Sequence, residues 1–370
     1  MAERIVEEFL NLVVIDNESL KERQMADYIK KRLVSMGYAP IEDEAGKSTG
    51  GNAGNVICRI PGSSKLPSVM FLAHMDSVYP CTGKVPVIRG EFIESAGDTV
   101  LGSDDLSGVA AMINLAENLI NNESPRGDVW LVFTIAEEIG LMGARNLDLG
   151  SITADFAYVL DSGGDIGRAT VSSPSHNTFN AVITGKAAHA GMEPEKGVSA
   201  ITAASRAIAD MRLGRIDEET TSNIGIIEGG RALNIVCDSV VVKGEVRSRD
   251  IRKLEELSNE IVEKFKKHAG AMGAGATVEM TREYNSFRVG IEEEMLVRFI
   301  KALERLGLPY VEEHSGGGSD TNIIYHKGIK ALTISTGMDR MHMKTERISI
   351  ANLLKLEKLT MELIKFNQSH

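Results

Sequence analysis

Residues 129–134, VWLVFT, carry apolar side chains on both alternating faces up to a closing threonine. A strand that is apolar on both faces has to be covered from both sides, and a sheet layered between helices offers that cover. Related runs occur in NVICRI (55–60), SVMFLAH (68–74), ADFAYVLDSGG (154–164) and GIKALTIST (328–336). Between them lie stretches with apolar residues at helical spacing. One is residues 17–37, with Asn17 as the expected N-cap and Gly37 as the stop; another is DLSGVAAMINLAENLI (105–120). Strands alternating with helices specify an α/β fold, a mixed sheet with helices on both faces. On such sheets ligands gather beyond the carboxyl ends of the strands. His74, Glu137, Glu138 and Asp161 all fall at expected strand ends.

The texture changes near residue 178. A polar-alternating strand (177–190) is followed by a helix (197–213), two strands (222–230 and 239–248), a helix (252–273) and a strand (275–283). That order is the split βαβ, ferredoxin-like pattern. Buried-strand texture returns after about residue 285. The expected organisation is one α/β domain in two parts, 1–177 and 285–370, interrupted by an α+β lid at 178–284. The glycines of GKSTGGNAGN (46–55) neither follow a strand nor open a helix, so they are not a dinucleotide fingerprint.

Composition narrows the function classes. A formal net charge of -11 argues against nucleic acid, which wants a basic face. No apolar run is long enough to span a bilayer, and the start, MAERIVEEFLNLVV, reads as an amphipathic helix rather than a secretion signal. Cys58, Cys81 and Cys237 are scattered and odd in number, so neither a disulfide framework nor a cysteine zinc site is expected. The expected compartment is a reducing cytoplasm.

Five places put a metal-ligand type at a strand end or a glycine-rich turn. In FLAHMDSV, His74 closes a strand and Asp76 lies two residues on, on the same side, where it can fix the imidazole tautomer. In LGSDDLSG, Asp105 suits a helix N-cap, which leaves Asp104 free to face a metal. IAEEIG places Glu137 and Glu138 after the apolar run, as if the strand continued through them, with their side chains pointing opposite ways. Asp161 and His342 complete the set. Each has an ordinary structural explanation when taken alone. Together, two imidazoles and three carboxylates suit a pair of zinc-like ions, with one further acid, Glu137, left to take a proton from water.

In order and spacing, HMDSV, GSDD, AEEIGLMGA, VLDSGG, SGGGSDTN and MHMKTE resemble the co-catalytic zinc exopeptidase family of peptidase T, carboxypeptidase G and aminoacylase-1, the peptidase T branch most of all. The resemblance covers nearly the whole chain. It implies that Asp104 bridges two divalent ions, zinc first, with cobalt or manganese also fitting. It implies that His74 and Asp161 complete one site and Glu138 and His342 the other. Glu137 would be the general base and Asp76 the residue that orients His74. The resemblance also implies a cis peptide after Asp104. In the lid it implies that His189 reaches the scissile carbonyl oxygen, often across a homodimer, and that Arg247 binds a substrate carboxylate, with Arg249 as a rival. Asn234 and the run containing Gly317 and Gly318 would lie near substrate. One departure stands out: relatives commonly carry a lysine after the aspartate pair, where this chain has Leu106.

The implied activity is removal of N-terminal residues from short peptides. A carboxypeptidase, a dipeptidase and an N-acyl amino acid deacylase share the chemistry, and the sequence does not say which substrate end the lid grips. A catalytically dead binding protein on the same fold would be expected to have lost ligands, and here all are present. A neighbouring aminopeptidase family inserts its lid between the first histidine and the bridging aspartate. Here those residues are only 104 − 74 = 30 positions apart, and the long gap falls between Asp161 and His342.

Overall fold

The computed structural model describes residues 3–63, 65–120 and 122–365. The chain forms two compact units. One comprises Met1–Val171, Arg288–His314 and Ser319–His370, the other Ser172–Phe287 and Ser315–Gly318. The glycine run at 315–318 therefore groups with the inserted unit.

In the first unit a mixed sheet runs in the order Ile41–Glu42, Val56–Ile60, Val129–Thr134, Val69–His74, Phe156–Gly163, Lys330–Asp339, Arg347–Ser349, Phe92–Ser95, Pro86–Arg89. Its centre is parallel: Val69–His74 lies between Val129–Thr134 and Phe156–Gly163, and Lys330–Asp339 runs parallel to the latter. The double-sided apolar pattern has its expected consequence. Met70, Leu72, Trp130, Val132, Ala157 and Val159 form one buried cluster with Ile324 and Ile329. The intervening Phe71, Leu131, Phe133 and Tyr158 are equally buried and, by strand alternation, face the other way. There the helix Ser103–Leu119 is buried along most of its length. Each large side chain so buried contributes on the order of 1.5–3 kcal/mol, which makes this sheet a rigid support for whatever stands at its strand ends.

Register decides what those ends share. His74 pairs with Thr134 in one neighbour, and Leu72 pairs with Val159 in the other. Continuing that second register by two residues brings His74 level with Asp161.

Two local expectations are corrected, and one departure is located. Asn17 does not cap a helix: it is fully buried and its Nδ2 donates to Met75 O (2.7 Å) and Ser77 Oγ (3.0 Å). The helix starts at Arg23, with Glu22 in the cap position. The apolar strand does not run through the glutamate pair but stops at Thr134. Ala136 takes φ 48°, and Gly140 (φ 118°) and Leu141 (φ 58°) follow, so the chain turns. The turn closes through Met142 N–H to Ala136 O (3.0 Å) and Gly143 N–H to Ile135 O (2.9 Å). A Cβ on Gly143 would lie 2.4 Å from Ile135 O, which is why a glycine stands there. Leu106, finally, occupies core rather than helix surface, being fully buried. A lysine does occupy this corner: Lys84, also buried, donates to Asn17 Oδ1.

The second unit has an antiparallel sheet in the order Gly214–Arg215, Thr220–Gly229, Ser239–Ser248, Ser175–Thr184, Gly275–Tyr284. Leaving out the two-residue edge strand, the order is second, third, first, fourth, the ferredoxin-like arrangement. Its helices Ala200–Asp210 and Ile251–Gly270 bury Ala203, Ala207, Leu254, Ile261 and Phe265 against Phe179, Val240 and Val242. Among the described residues of the chain, no helix is long and apolar enough to cross a membrane, and all three cysteines are free and buried.

Candidate metal centre

The strand ends bring the expected ligands together. His74 Nε2 lies 3.0 Å from Asp104 Oδ1 and 3.9 Å from Asp161 Oδ1. The other oxygen of Asp104, Oδ2, lies 3.2 Å from His342 Nε2, which is also 3.2 Å from Glu138 Oε2. One carboxylate thus faces two separate imidazoles, each with a further acid beside it.

Asp104 is held by an irregular start to its helix. Asp104 (φ −83°, ψ 101°) and Asp105 (φ −120°, ψ 31°) are not helical, and the peptide between them is cis. Asp105 then acts as a cap, its Oδ1 accepting from Gly108 N–H (3.3 Å) and its Oδ2 from His74 N–H (3.2 Å). Asp105 also completes a second set of close ligand atoms with His74 and Asp161, alongside the set His74, Asp104 and Glu138. Both Asp105 oxygens already accept backbone bonds, which fits it better to support than to ligation. His342 sits in the turn after Lys330–Asp339 with φ 62°.

Asp76 does more than orient one ring. His74 Nδ1 is nearer the Asp76 carbonyl oxygen (2.9 Å) than its carboxylate (3.4 Å). The carboxylate itself accepts from Ser19 Oγ (2.7 Å), Glu137 N–H (3.0 Å) and Glu138 N–H (3.3 Å). It therefore fixes the glutamate turn as well as the histidine.

Electrostatics show what the site lacks in protein partners. Burial, then the charge of Asp161, pushes the Glu137 carboxyl well above the usual range. Burial also pushes Asp161 well above its ordinary value and raises Glu138, opposed there by the hydrogen bond from His342. At Asp104 burial is outweighed by the hydrogen bonds from His342 and His74, which hold it below its ordinary value. The hydrogen bonds it donates to Asp104 and Glu138 push His342 up to about 10. So many acids in a low-dielectric pocket need protons or cations to neutralise them.

The donor set fits cations. Two donors about 2.1 Å from one ion at a tetrahedral angle lie roughly 3.4 Å apart. The histidine–carboxylate spacings here, 3.0–3.9 Å, bracket that value. Glu138 Oε1 is buried without a hydrogen-bond partner, as an oxygen reserved for an ion would be.

Three supporting acids have no role readable from the sequence, although Asp320 and Glu346 fall within SGGGSDTN and MHMKTE. Glu22 is fully buried, and its Oε1 accepts from Leu20 N–H (2.9 Å) and from Ala136 N–H (3.0 Å), holding the positive-φ residue before the glutamates. Asp320 Oδ2 accepts from Thr134 Oγ1 (2.6 Å). Glu346 accepts from the loop that carries Asp104.

The remaining expected residues lie in the second unit and form two groups. His189 is exposed, and its Nδ1 accepts from Gly191 N–H (3.2 Å) and Met192 N–H (3.1 Å), leaving Nε2 to carry the proton. Asn234, also exposed, meets it through Ala190 N–H to Asn234 O (2.9 Å). In the other group Arg247 is bidentate to Glu245 (3.2 and 3.0 Å) and its Nη1 donates to Tyr284 Oη (3.2 Å). Glu245 also lies 3.0 Å from His176 Nε2; His176 first, with Arg247, lowers its carboxyl to about 2. Gly318 sits against the Tyr284 ring, where a Cβ would come within 2.4 Å, and Gly317 would bring one within 3.9 Å of Arg247 Nη1. The rival Arg249 is spent on the carbonyl oxygens of Ser315 (3.4 Å) and Glu218 (3.0 Å).

Comparison with known proteins agrees with this architecture. Residues 171–273 match the model of a family described as a peptidase dimerisation domain, and residues 55–203 match that of peptidase family M28. Aminopeptidase PepT from Bacillus cereus is 39% identical, with a TM-score of 0.90 over 98% of each chain. A tripeptidase from Staphylococcus aureus is 35% identical, with a TM-score of 0.94 over 99% of this chain and 98% of that one. Peptidase T from Clostridium perfringens is 28% identical over 81% of this chain and 82% of its own.

Proposed function

The chain belongs to the peptidase T-like exopeptidase family, and from that premise we propose that it removes the N-terminal residue from short peptides, tripeptides foremost, using two divalent ions. The observation that carries the reading is the divided Asp104 carboxylate, one oxygen 3.0 Å from His74 and the other 3.2 Å from His342. Asp104, His74 and Asp161 would hold one ion, and Asp104, Glu138 and His342 the other. Zinc is the first assignment, and cobalt or manganese suits the same ligands. When bound, such a pair would polarise the scissile carbonyl and acidify the attacking water.

The chain's own residues do the rest. Glu137, kept off the ions, takes the proton of the attacking water and returns it to the leaving amine. Its burial raises its proton affinity, which suits a base that must then act as an acid. Asp76 holds the Glu137 and Glu138 backbone so that one acid serves the water and the other an ion. His189, with its proton on Nε2, donates to the oxygen that gains charge as the carbonyl is attacked. Arg247, already oriented by Glu245 and Tyr284, takes a substrate carboxylate, with Gly317, Gly318 and Asn234 beside the peptide. A homodimer formed through the second unit and a cytoplasmic location complete the reading.

Glu137→Gln tests it. The variant should keep two ions per chain while kcat falls by about two to four orders of magnitude, the usual worth of a positioned acid–base. Activity within a few-fold of wild type would contradict the role.

A further inference from the structure

We propose that Glu346 is a positioning residue that ties the Asp104 loop to the His342 turn and thereby builds one half of the metal centre. The inference rests on the two-ion reading and extends it to a residue outside the ligand set.

Glu346 is 1% exposed, and both of its carboxylate oxygens are used. Oε2 accepts from Gly102 N–H (2.8 Å), and Oε1 accepts from Ser103 Oγ (2.6 Å) and Asp104 N–H (2.9 Å). Three donors from three consecutive residues therefore converge on one carboxylate, and the last belongs to the residue whose side chain faces both imidazoles. The loop needs such an anchor because its backbone is non-helical at Asp104 and left-handed at Gly102 (φ 79°).

The same residue also closes the other loop. Glu346 N–H donates to Met343 O (2.9 Å), and Met343 N–H donates to Arg340 O (3.3 Å). These bonds close the turn that holds His342 at φ 62°. Glu346 thus fixes one ligand loop through its side chain and the other through its backbone, across 242 residues of sequence. His74 and Asp161 have no such need. They stand on paired parallel strands whose register already sets their spacing.

The consequence is asymmetric. Asp104 serves both ions, but only the ion shared with Glu138 and His342 has two ligands on the loops that Glu346 ties, so loosening Glu346 should weaken that ion more than the ion shared with His74 and Asp161. Loss of a partner that orients metal ligands typically costs ten- to a hundred-fold in metal affinity. Glu346→Gln keeps the shape but turns an amide donor toward the Gly102 or the Ser103/Asp104 donors, so at least one contact is lost.

The test is calorimetric titration of the chelator-stripped full chain with cobalt(II) alone, wild type beside Glu346→Gln. Wild type should take up two equivalents. The variant should take up one at most a few-fold more weakly than wild type and the second ten- to a hundred-fold more weakly, and excess cobalt should restore part of its kcat. A general loss of stability would not divide the two ions in this way. Two wild-type-like equivalents in the variant, or equal weakening of both, overturns the inference while leaving the two-ion reading intact. Fewer than two equivalents in wild type overturns both. Should Glu346→Gln fail to fold, Ser103→Ala removes a single bond to Glu346 and should weaken the ion shared with Glu138 and His342 by a few-fold, more than the other; unchanged affinities or equal weakening there overturn the inference.

Discussion

At Glu138 one carboxylate oxygen meets His342 at 3.2 Å while the other is buried and unpaired. His342 answers two acids at once, and its pKa rises to about 10 from an ordinary 6.5, through its hydrogen bonds with Asp104 and Glu138. A base whose folded pKa lies above its unfolded one stabilises the fold fully below the unfolded value and loses that contribution as pH rises through the folded one. Stripped of metal, the chain should therefore draw stability from the His342 pairs below about pH 6.5 and lose it towards about pH 10. An ion needs the neutral imidazole, so binding at pH 7 must expel that proton. Titration in two buffers of different ionisation enthalpy should show net proton release, and metal affinity should fall as pH is lowered; release of no protons would contradict the assignment of His342 as a ligand. At this scale the candidate ligands stood out because each has a metal-binding side chain at a strand end or turn. Glu346 closes the MHMKTE motif, yet its role was not legible, since its side-chain partners lie more than 240 residues away. Asn17 misled for a related reason: a residue type that caps helices can equally spend its amide on a distant loop.

The elements divide in the same way. Strands and helices announced themselves through periodicity, and a sheet covered on both faces followed from runs that are apolar on both sides. The end of the Val129–Thr134 strand did not announce itself, because nothing in the composition of IAEEIG signals an alanine at φ 48°. That conformation is held from outside, by Glu22 at the start of the Arg23–Ser35 helix. Burial, then the charge of Asp76, raises the Glu22 carboxyl to about 7. The folded chain therefore keeps a proton that the unfolded chain gives up, and stability declines between about pH 4.5 and about pH 7. Glu22→Gln retains an acceptor oxygen for Ala136 and cannot ionise. It should match wild type near pH 4.5 and exceed it above pH 7, by on the order of a few kcal/mol, in urea unfolding. A variant less stable than wild type at pH 8 would mean that Glu22 is ionised and paired.

For the whole molecule, the ferredoxin-like order of the inserted unit was readable from its alternation of strand and helix texture, whereas its surface was not. Among the described residues, the strand Thr220–Gly229 pairs on its outer side only with the two-residue Gly214–Arg215 strand, and it exposes Ile226 and Ile227. Leu233 and Ile235 are exposed nearby in sequence. An open edge with apolar side chains is a place for another chain to pair. Light scattering should give twice the 40.1 kDa chain mass, and Ile227→Lys should shift the protein to monomers with the fold retained. A wild-type monomer at micromolar concentration would contradict the dimer. The account as a whole stands on a metal-dependent reaction at the peptide amino terminus. Its most direct test is to incubate the metal-loaded chain with a tripeptide labelled on its C-terminal residue and identify the products by mass. The expected result is a free N-terminal amino acid and a labelled dipeptide, abolished by chelator and restored by two equivalents of metal. Release of the labelled C-terminal residue, or hydrolysis indifferent to chelator, would contradict it.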